Sequence, residues 1–477
     1  MSGALSRTRR IRRVAAAAIV AGALAPASAT AHGLVGKQDL PIPRWLFAWA
    51  AAVVLVVSFV GLSVLWAKPR LQRVEERRVL TVPRALEVLA GALGIAFFAL
   101  VIYAAFEGTS APTANLAPTV IYVLLWVGIP FLSMVLGDVF RAFNPWLAVG
   151  KTAGWGMRRF GGDTAPEPLP YPAWLGRWPA VAGVLVFAWV ELVYANRDDP
   201  RQLGIMALAY AAVQLVGMSL YGVRAWSDRG DAFSVYFGMF ARVAPLRWHG
   251  GALYRRPVLG GAPPLTPVPG TLALLCTMIG TTSFDGFSQG SLWNEIAPHL
   301  QSFFMSLGLN AEHALEWAGT VGLVTMVLII GGLYRLGIAG MRSVGRGRPA
   351  RELAGSFAHT LVPIALAYVV AHYFSLLAYN GQALVPLLSD PLGHGADLFG
   401  TASTTINYTW VTATGIWYVQ VAALLLGHVA GLTLAHDRAL AMYAQVREAT
   451  RSQYWMLAVM VTFTSLGLWL LSAAAQQ

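Results

Sequence analysis

Four polar side chains lie at helical spacing within one of the most apolar stretches of the chain. They are Tyr368, His372, Ser375 and Tyr379, at positions i, i+4, i+7 and i+11, so a helix would carry all four on one face. An ionisable group inside a membrane helix is costly, and an imidazole can take or give a proton near neutral pH. The stripe therefore predicts either a shared polar pocket or a polar contact between helices.

Two carboxylates are expected toward the same end of the bundle as His372. Glu191 lies near the end of one apolar segment, and Asp285 ends another in TTSFDGFS. Both are expected toward the same membrane face as His372, where an acid or an imidazole can act as a general base on an attacking water. The sequence thus predicts His372, Asp285 and Glu191 as catalytic residues. The residues predicted to bind a substrate beside them are Tyr368, Tyr379, Tyr418 and Gln214.

Histidines and aspartates in the loops are candidate metal ligands. Asp390 and His394 occur in SDPLGHGADLFG, and His32 would become the N-terminal residue if a signal peptide were removed. Imidazole and carboxylate groups suit zinc or another divalent metal, although the chain has no H-E-x-x-H motif. The sequence leaves open whether this loop binds a divalent metal or no metal. His359 and His428 are either ordinary bundle histidines or a pair that holds a haem.

The composition indicates a membrane protein with many spans. Of the 477 residues, 57% are hydrophobic and only 12% are charged, about half the charged share of a soluble domain. The net charge is +12, but the basic residues lie in loops between apolar runs, which argues against nucleic-acid binding. The single cysteine, Cys276, excludes a disulfide framework within the chain. The predicted partners are the lipid bilayer and a small-molecule substrate.

The first 31 residues have the pattern of a secretory signal peptide. Five arginines between Arg7 and Arg13 precede a short apolar run that ends in Ala29-Thr30-Ala31, an A-x-A cleavage pattern. We expect a signal peptide over 1–31 and a single membrane domain over 32–477. An uncleaved anchor helix is the alternative.

About ten apolar segments follow, most of them long enough to cross ~30 Å of hydrocarbon. Their approximate bounds are 45–66, 88–106, 116–137, 179–195, 203–222, 269–284, 317–334, 357–379, 413–433 and 454–474. The loops after odd-numbered segments are basic and the others are not, which places the odd loops in the cytoplasm and both mature termini outside. The predicted fold is an all-α polytopic helix bundle in the cytoplasmic membrane.

Three segments differ from plain spans. The sixth, GTLALLCTMIGTTSF, is short and follows PVPG, which predicts either a tilted or broken helix or a span with misjudged bounds. Segments 231–248 and 292–308 are amphipathic. We expect the first of them on the inner membrane surface and the second on the outer one.

Several stretches resemble a bacterial family of polytopic membrane proteins labelled fenitrothion hydrolase. They are AHGLVGKQDLPIPRWLF, GDVFRAFNPW, TTSFDGFS, LLSDPLGHGADLFGTA and WYVQVAALLLGHVAGLTLAHDRAL, spread over nearly the whole chain after the signal peptide. The resemblance implies hydrolysis of an organophosphorus ester at the membrane, and it carries over no catalytic residue. From the residues alone, a transporter with a polar midplane site and a non-catalytic subunit of a metal or haem system also stay open.

Overall fold

The computed structural model describes residues 44–160, 167–344 and 348–474. The predicted signal peptide and His32 lie outside the described residues. The first half of the chain forms helices and three short strands. These are α1 (Arg44–Leu65), β1 (Arg77–Thr81), α2 (Arg84–Glu107), α3 (Leu116–Leu136), α4 (Val139–Phe143), α5 (Pro145–Phe160), α6 (Trp178–Leu192), α7 (Pro200–Tyr221), α8 (Val223–Arg229), α9 (Ala232–Phe240), β2 (Leu246–His249) and β3 (Ala252–Arg255).

The second half of the described chain is helical between its loops. Its helices are α10 (Thr271–Ser288), α11 (Ser291–Ser306), α12 (Ala311–Val344), α13 (Ala350–Phe357), α14 (Leu361–Asn380), α15 (Leu384–Ser389), α16 (Ala413–Met442), α17 (Val446–Ser452) and α18 (Tyr454–Ala474). Single 3₁₀ turns flank α14 on both sides.

Six helical stretches of the described chain are long and apolar enough to cross a membrane. They are Arg84–Glu107, Leu116–Leu136, Pro200–Tyr221, Ala311–Val344, Ala350–Ser389 and Ala413–Met442. Shorter apolar helices occupy Trp49–Leu65 and Trp178–Leu192. The prediction of a helical bundle with several apolar helices of membrane-spanning length is therefore confirmed. Ten crossings, the signal peptide and the division into domains stay predictions.

Loops that follow odd-numbered predicted segments meet at one end of the bundle, called here the basic end. Asp437, at the end of α16, accepts hydrogen bonds from Trp66 Nε1 at 3.1 Å and from Gln72 Nε2 at 2.7 Å, which joins the ninth segment to the first loop. The carbonyl of Leu136, at the end of α3, accepts from Trp248 Nε1 in the fifth loop at 2.8 Å. Contacts of this kind are expected if successive loops lie at alternate ends of the bundle.

The other loops meet at the opposite end, called here the neutral end. The Thr109 backbone N–H in the second loop donates to the Leu392 carbonyl in the eighth at 2.8 Å. The Ala195 N–H in the fourth loop donates to Glu316 Oε1, in the first turns of α12, at 3.0 Å. The two ends are thus separate in space, and which of them faces the cytoplasm stays a prediction.

A small antiparallel sheet, which the all-α prediction omitted, ties the first loop to the fifth at the basic end. The strand order is β1-β3-β2. The register of β1 shifts between Arg78 and Leu80, which marks a bulge. Glu76, just before β1, accepts from Arg247 Nη1 at 2.7 Å and lies 3.7 Å from Arg256 Nη1. Two arginines of the fifth loop therefore share one carboxylate of the first.

The short sixth segment is one continuous helix, α10, so the alternative of a broken helix is wrong. Its hydroxyl side chains bond within the helix: Thr281 Oγ1 donates to the Thr277 carbonyl at 2.9 Å, and Ser283 Oγ to Ile279 at 2.8 Å. Because each hydroxyl donates to the backbone carbonyl four residues before it, it leaves no unpaired polar group. The helix can therefore contain these polar residues and stay unbroken.

The irregular helix is α3 instead. It begins as α-helix at Leu116–Pro118, widens to π-helix over Thr119–Gly128, and returns to α-helix at Ile129–Leu136. π-Helical turns are rare, are usually only one turn long and occur frequently at functional sites. In this chain the π-helical stretch carries Trp126, which is 1% exposed.

Segment 231–248 does not lie on a membrane surface, and that prediction is wrong. Its helix α9 is buried on nearly every side, as Phe233, Tyr236 and Phe237 show. The apparent amphipathicity came from charged residues that follow the helix, in the loop that leads to β2. Segment 292–308 does have an amphipathic helix: in α11 only Trp293 and Ala297 are buried.

A buried carboxylate organises the start of α9. Asp231 Oδ2 accepts from Asn144 Nδ2 at 3.0 Å and Trp146 Nε1 at 2.7 Å, and also from the Ser234 hydroxyl. Its Oδ1 accepts from the Tyr210 hydroxyl at 2.7 Å. Donors from α5, α7, α9 and the α4–α5 junction thus meet on one acid that is fully buried.

Candidate functional site

The centre of the candidate site is a carboxylate that holds two side chains of α14. Asp285 Oδ2 lies 2.9 Å from His372 Nε2 and accepts a hydrogen bond from the Tyr373 hydroxyl at 2.8 Å. Asp285 is 0% exposed and His372 is 7% exposed. The acid, the imidazole and the phenol thus form one buried polar group at the contact between α10 and α14.

Close packing of α10 brings the acid to this position. A Cβ at Gly280 would lie 2.7 Å from Val327 Cα on α12, so only glycine allows these two helices to approach so closely. On the other side of α10, a Cβ at Gly286 would lie 3.6 Å from His372 Cε1 and Nδ1. Asp285 is therefore held at the meeting line of α10 and α14.

A second acid lies beside the first. Glu191, one residue from the end of α6, is near enough to Asp285 for the two like charges to repel, and it lies beside Tyr373 and Trp126. Glu191 Oε2 and Trp126 Nε1 are both buried and lie beside each other, with a geometry that falls short of a regular hydrogen bond. The indole N–H is thus the nearest donor to the second carboxylate, next to the Asp285–His372 pair.

Aromatic rings fix the position of Trp126. Its ring stacks on Tyr236 of α9, with centroids 4.6 Å apart and planes inclined by 11°. Phe187, on α6 with Glu191, lies 4.5 Å away on centroids. The π-helical turn of α3 and these contacts direct the indole toward Glu191. Asp285, His372, Tyr373, Glu191 and Trp126 are called the acid–histidine cluster below.

The cluster contains the three residues predicted as catalytic and two that sequence reasoning missed. His372, Asp285 and Glu191 lie far apart in the sequence, yet the structure brings them together. Tyr373 was overlooked because it is one position off the predicted stripe, although it directly follows His372. Trp126 could not have been found from helical periodicity, because its helix is not an α-helix there.

The four residues predicted to bind substrate have contacts elsewhere. Tyr368 and Tyr379 donate to the carbonyls of Phe463 at 3.3 Å and Val411 at 3.0 Å, and Gln214 Oε1 accepts from Trp226 Nε1 at 2.9 Å; Tyr418 is 51% exposed. The structure therefore does not bring them to the cluster. Tyr368 and Tyr379 share a face of α14 with His372, but they lie at other levels along the helix, where they meet α18 and the loop before α16.

The predicted metal ligands Asp390 and His394 interact with each other's backbone or side chain within their own loop. Asp390 accepts from the backbone N–H groups of His394 at 3.1 Å and Gly395 at 2.8 Å, while the His394 side chain is exposed. Within the described ranges no group of three His, Cys, Asp or Glu side chains is close enough to hold a metal ion. His428 bonds to the Leu424 carbonyl at 2.8 Å, as an ordinary bundle histidine does.

The stretch GDVFRAFNPW forms the junction between α3 and α5. Asp138 caps α4 by accepting from the Arg141 backbone N–H at 3.2 Å, while the Arg141 side chain pairs with Asp228 at 2.8 Å. Burial raises the pKa of Asp138 to about 6, although the Arg141 charge acts against this shift. The stretch is thus a structural junction that ends in Asn144 and Trp146, both bonded to Asp231.

Comparison of the chain with protein-family models, with curated proteins and with solved structures gave no match. The resemblance to the family labelled fenitrothion hydrolase stays a prediction, and any proposal of function depends on the geometry of the cluster.

Proposed function

We propose that the chain is a proton-coupled transporter of a small molecule, with the acid–histidine cluster as its proton-binding site. One observation carries this proposal: two carboxylates and an imidazole share one site inside the bundle, with Asp285 and His372 in direct contact and Glu191 near enough to act on Asp285. Ionisable residues inside membrane helices are characteristic of substrate pathways and proton relays.

The charges of the cluster explain how proton binding would move helices. Asp285 and Glu191 are two acids close enough for like charges to repel. A proton on either acid removes that repulsion between α6 and α10, because it leaves only one negative charge in a medium of low dielectric constant. Loading and release of that proton therefore favour different spacings of the two helices, which is the bias that alternating access requires.

The cluster lies nearer the neutral end of the bundle. Glu191 and Asp285 are within one turn of the ends of α6 and α10, which lead into neutral-end loops. If the basic end faces the cytoplasm, as the positive-inside rule predicts, protons reach the cluster from outside the cytoplasmic membrane. The lipid bilayer and the transported small molecule are then its partners.

Proton movement into sealed vesicles tests the proposal. The purified protein is reconstituted with a trapped pH-sensitive dye, a potassium diffusion potential is applied, and a panel of small solutes is added in turn. We expect solute-dependent proton uptake, reduced at least tenfold in Asp285→Asn and in Glu191→Gln. Tyr373→Phe and Tyr368→Phe form a matched pair, because each removes one buried hydroxyl from α14 but only the first bonds to Asp285.

Two results would contradict transport. One is a folded Asp285→Asn variant with wild-type proton uptake. The other is a wild-type protein that moves neither protons nor any solute of the panel. Equal losses in Tyr373→Phe and Tyr368→Phe would show that α14 matters for packing rather than for proton binding.

Hydrolysis of a phosphoester-like substrate is the second candidate function. The Asp285–His372 contact of 2.9 Å favours it, because a carboxylate that orients an imidazole is the arrangement of a general base. The test is release of nitrophenol from a nitrophenyl phosphotriester by purified protein. Turnover that falls at least a hundredfold in His372→Gln would support this function, and turnover unchanged in that variant would remove it.

A further inference from the structure

Two segments of the described chain enter the bundle from the basic end and return to it. The first, α4 and α5, begins after Leu136, whose carbonyl bonds to the fifth loop at the basic end. It ends before Leu169, whose backbone N–H donates to the Leu220 carbonyl, in the last turn of α7, at 2.7 Å. The second, α8 and α9, leaves the end of α7 and leads into strand β2 of the basic-end sheet. The two segments are called the first and second re-entrant hairpins.

The tips of both hairpins lie at the middle of neighbouring spanning helices. At the first tip, the Phe143 carbonyl lies so close to Gly94, in the middle of α2, that a Cβ there would overlap it. At the second tip, Asp231 accepts from the hydroxyl of Tyr210, in the middle of α7, at 2.7 Å. Each hairpin therefore turns back halfway through the bundle. Membrane proteins tolerate such backbone only where protein buries it or where it lines a cavity.

The two hairpins are bonded to each other at two levels. At the tips, Asp231 of the second hairpin accepts from two side chains of the first, Asn144 Nδ2 at 3.0 Å and Trp146 Nε1 at 2.7 Å. Nearer the basic end, Arg141 of the first hairpin pairs with Asp228 of the second at 2.8 Å. The contact at the tips is buried, whereas the Arg141–Asp228 pair is partly exposed. Asp231 and its two donors from the first hairpin are called the latch.

The hairpins lie between the acid–histidine cluster and the basic end. Tyr236 of the second hairpin stacks on Trp126 of the cluster, and Glu191 is near enough for its charge to act on this phenol. Farther toward the basic end, Phe237 packs against Phe140 of the first hairpin, with ring centroids 4.9 Å apart. The rings of both hairpins are buried. A proton or a solute that leaves the cluster toward the basic end therefore meets these packed rings.

The alternative role of the hairpins is to complete the packing of the bundle. Packing accounts for the aromatic contacts, but it does not require that the tips be joined through a buried carboxylate. Hydrogen bonds to a carboxylate can be exchanged for bonds to water, so a joint of this kind can open and close. Because each hairpin is anchored at one end only, it can also be displaced without moving a spanning helix. Alternating access requires such an element on the closed side of a binding site.

We propose that the two re-entrant hairpins form a gate between the acid–histidine cluster and the basic end, and that the latch at Asp231 holds this gate shut. When the bonds between Asp231 and the first hairpin break, the tips separate and the cluster becomes accessible from the basic end. The role of the gate rests on the proposed transport function, whereas the re-entrant path of the chain does not.

Single introduced cysteines in the full-length protein test the re-entrant path. Cys276, the only cysteine of the chain, is first replaced by alanine. A membrane-impermeant maleimide is then added to spheroplasts and, separately, to inverted membrane vesicles. Arg159→Cys, at the end of the first hairpin, and His249→Cys, in β2, should be labelled from one face, and Ser110→Cys, in the second loop, from the other. Labelling of Arg159→Cys from the same face as Ser110→Cys would show that α5 crosses the membrane, which would overturn the proposal.

A cysteine at Tyr373 reports whether the cluster is accessible from the basic end. We expect slow labelling from that face when the latch is intact and labelling about tenfold faster in Asp231→Asn, because a hydrogen bond made only in the closed state changes the open fraction by about that factor. Trp146→Phe, which removes one donor, replaces Asp231→Asn if that variant does not fold. Asn115→Ala is the matched control, because its amide donates to two carbonyls near the neutral end. Unchanged labelling in the latch variants, or an equal rise in Asn115→Ala, would overturn the gate.

A reversible cross-link distinguishes failure of the gate from failure of the transport function. Arg141→Cys and Asp228→Cys replace the second contact between the hairpins, and a short bis-methanethiosulfonate joins the two thiols. We expect solute-dependent proton uptake to stop in the cross-linked protein and to return after reduction. Uptake that continues in the cross-linked protein would contradict the gate. If the wild type transports nothing, the proposed function fails, and the labelling rates at Tyr373→Cys still decide whether the hairpins close off the cluster.

Discussion

Removal of the Tyr210 hydroxyl tests whether the Asp231 network stabilises the bundle. In the native protein this hydroxyl donates to Asp231 Oδ1 at 2.7 Å and accepts from the Phe233 N–H at 3.2 Å. Tyr210→Phe keeps the ring and deletes both contacts. A hydrogen bond to a charged group contributes about 1.5–3 kcal/mol, and a stranded buried N–H costs about 1 kcal/mol more. We therefore expect Tyr210→Phe to lose about 3 kcal/mol of unfolding free energy.

A second tyrosine provides the comparison. The Tyr171 hydroxyl donates to the neutral Gly176 carbonyl at 2.8 Å in a partly buried site. Tyr171→Phe is expected to lose about 1 kcal/mol, as for an average neutral hydrogen bond. Reversible unfolding in mixed detergent micelles, followed by tryptophan fluorescence, gives both free energies. The expected difference of about 2 kcal/mol corresponds to a change of roughly thirtyfold in the unfolding equilibrium constant.

Equal losses for the two variants would refute this reasoning. Hydrogen bonds between membrane helices average only about 0.6 kcal/mol where the unfolded state finds other partners. A loss of that size in Tyr210→Phe would mean that the other donors compensate for the missing hydroxyl. A double-mutant cycle with Asp231→Asn then measures how strongly the phenol and the acid are coupled.

Two further predictions concern packing and pH. Gly94→Ala would place a Cβ 1.9 Å from the Phe143 carbonyl oxygen, so we expect a loss of about 1–3 kcal/mol in the same unfolding assay. Gly61→Ala meets nothing within 4 Å and should not destabilise α1; comparable losses in both variants would contradict the packing. Since the folded pKa of Asp138 is raised from 3.8 to about 6, the folded state binds its proton more tightly, and this group lowers stability as pH rises between those values. Asp138→Asn, which keeps the helix cap, should therefore gain stability relative to the wild type between pH 4 and pH 7; a constant difference would refute the shift.

The sequence predicted the features that depend on the length of apolar segments and on the energetic cost of burying an ionisable group. Long apolar runs gave the helical segments, and the cost of burying ionisable groups selected Asp285, Glu191 and His372 before their proximity was known. The π-helical turn of α3 was not predictable, because its residues suit an α-helix equally well and only tertiary packing chooses between them. The burial of α9 was missed for a related reason: periodicity describes one helix at a time, whereas three donors from other elements bond to Asp231 at the start of this helix.

Arg177 and Arg242 show the limit of charge patterning. Charge patterning correctly predicted that the basic loops lie together at one end. It assumes, however, that every arginine in a loop is exposed to solvent. Arg177 and Arg242 are instead drawn against a loop whose carbonyls lack donors. Which basic residues turn inward follows from the hydrogen-bonding needs of the neighbouring backbone, and the proline content of residues 257–270 is the only sequence signal of that need.

The bonds of Asp437 to the first loop also constrain the order of assembly. This carboxylate receives Trp66, Gln72 and the backbone N–H groups between them, across more than 360 residues of chain. At 5–20 residues per second, roughly 20–70 s of synthesis separate the two partners. During that time α1 has no access to α16 or α18, the helices that cover its buried stripe of Ala51, Leu55 and Phe59. The first of the described helices to be made is therefore among the last to dock, and it must wait in the bilayer or with an insertion factor until the C-terminal helices arrive.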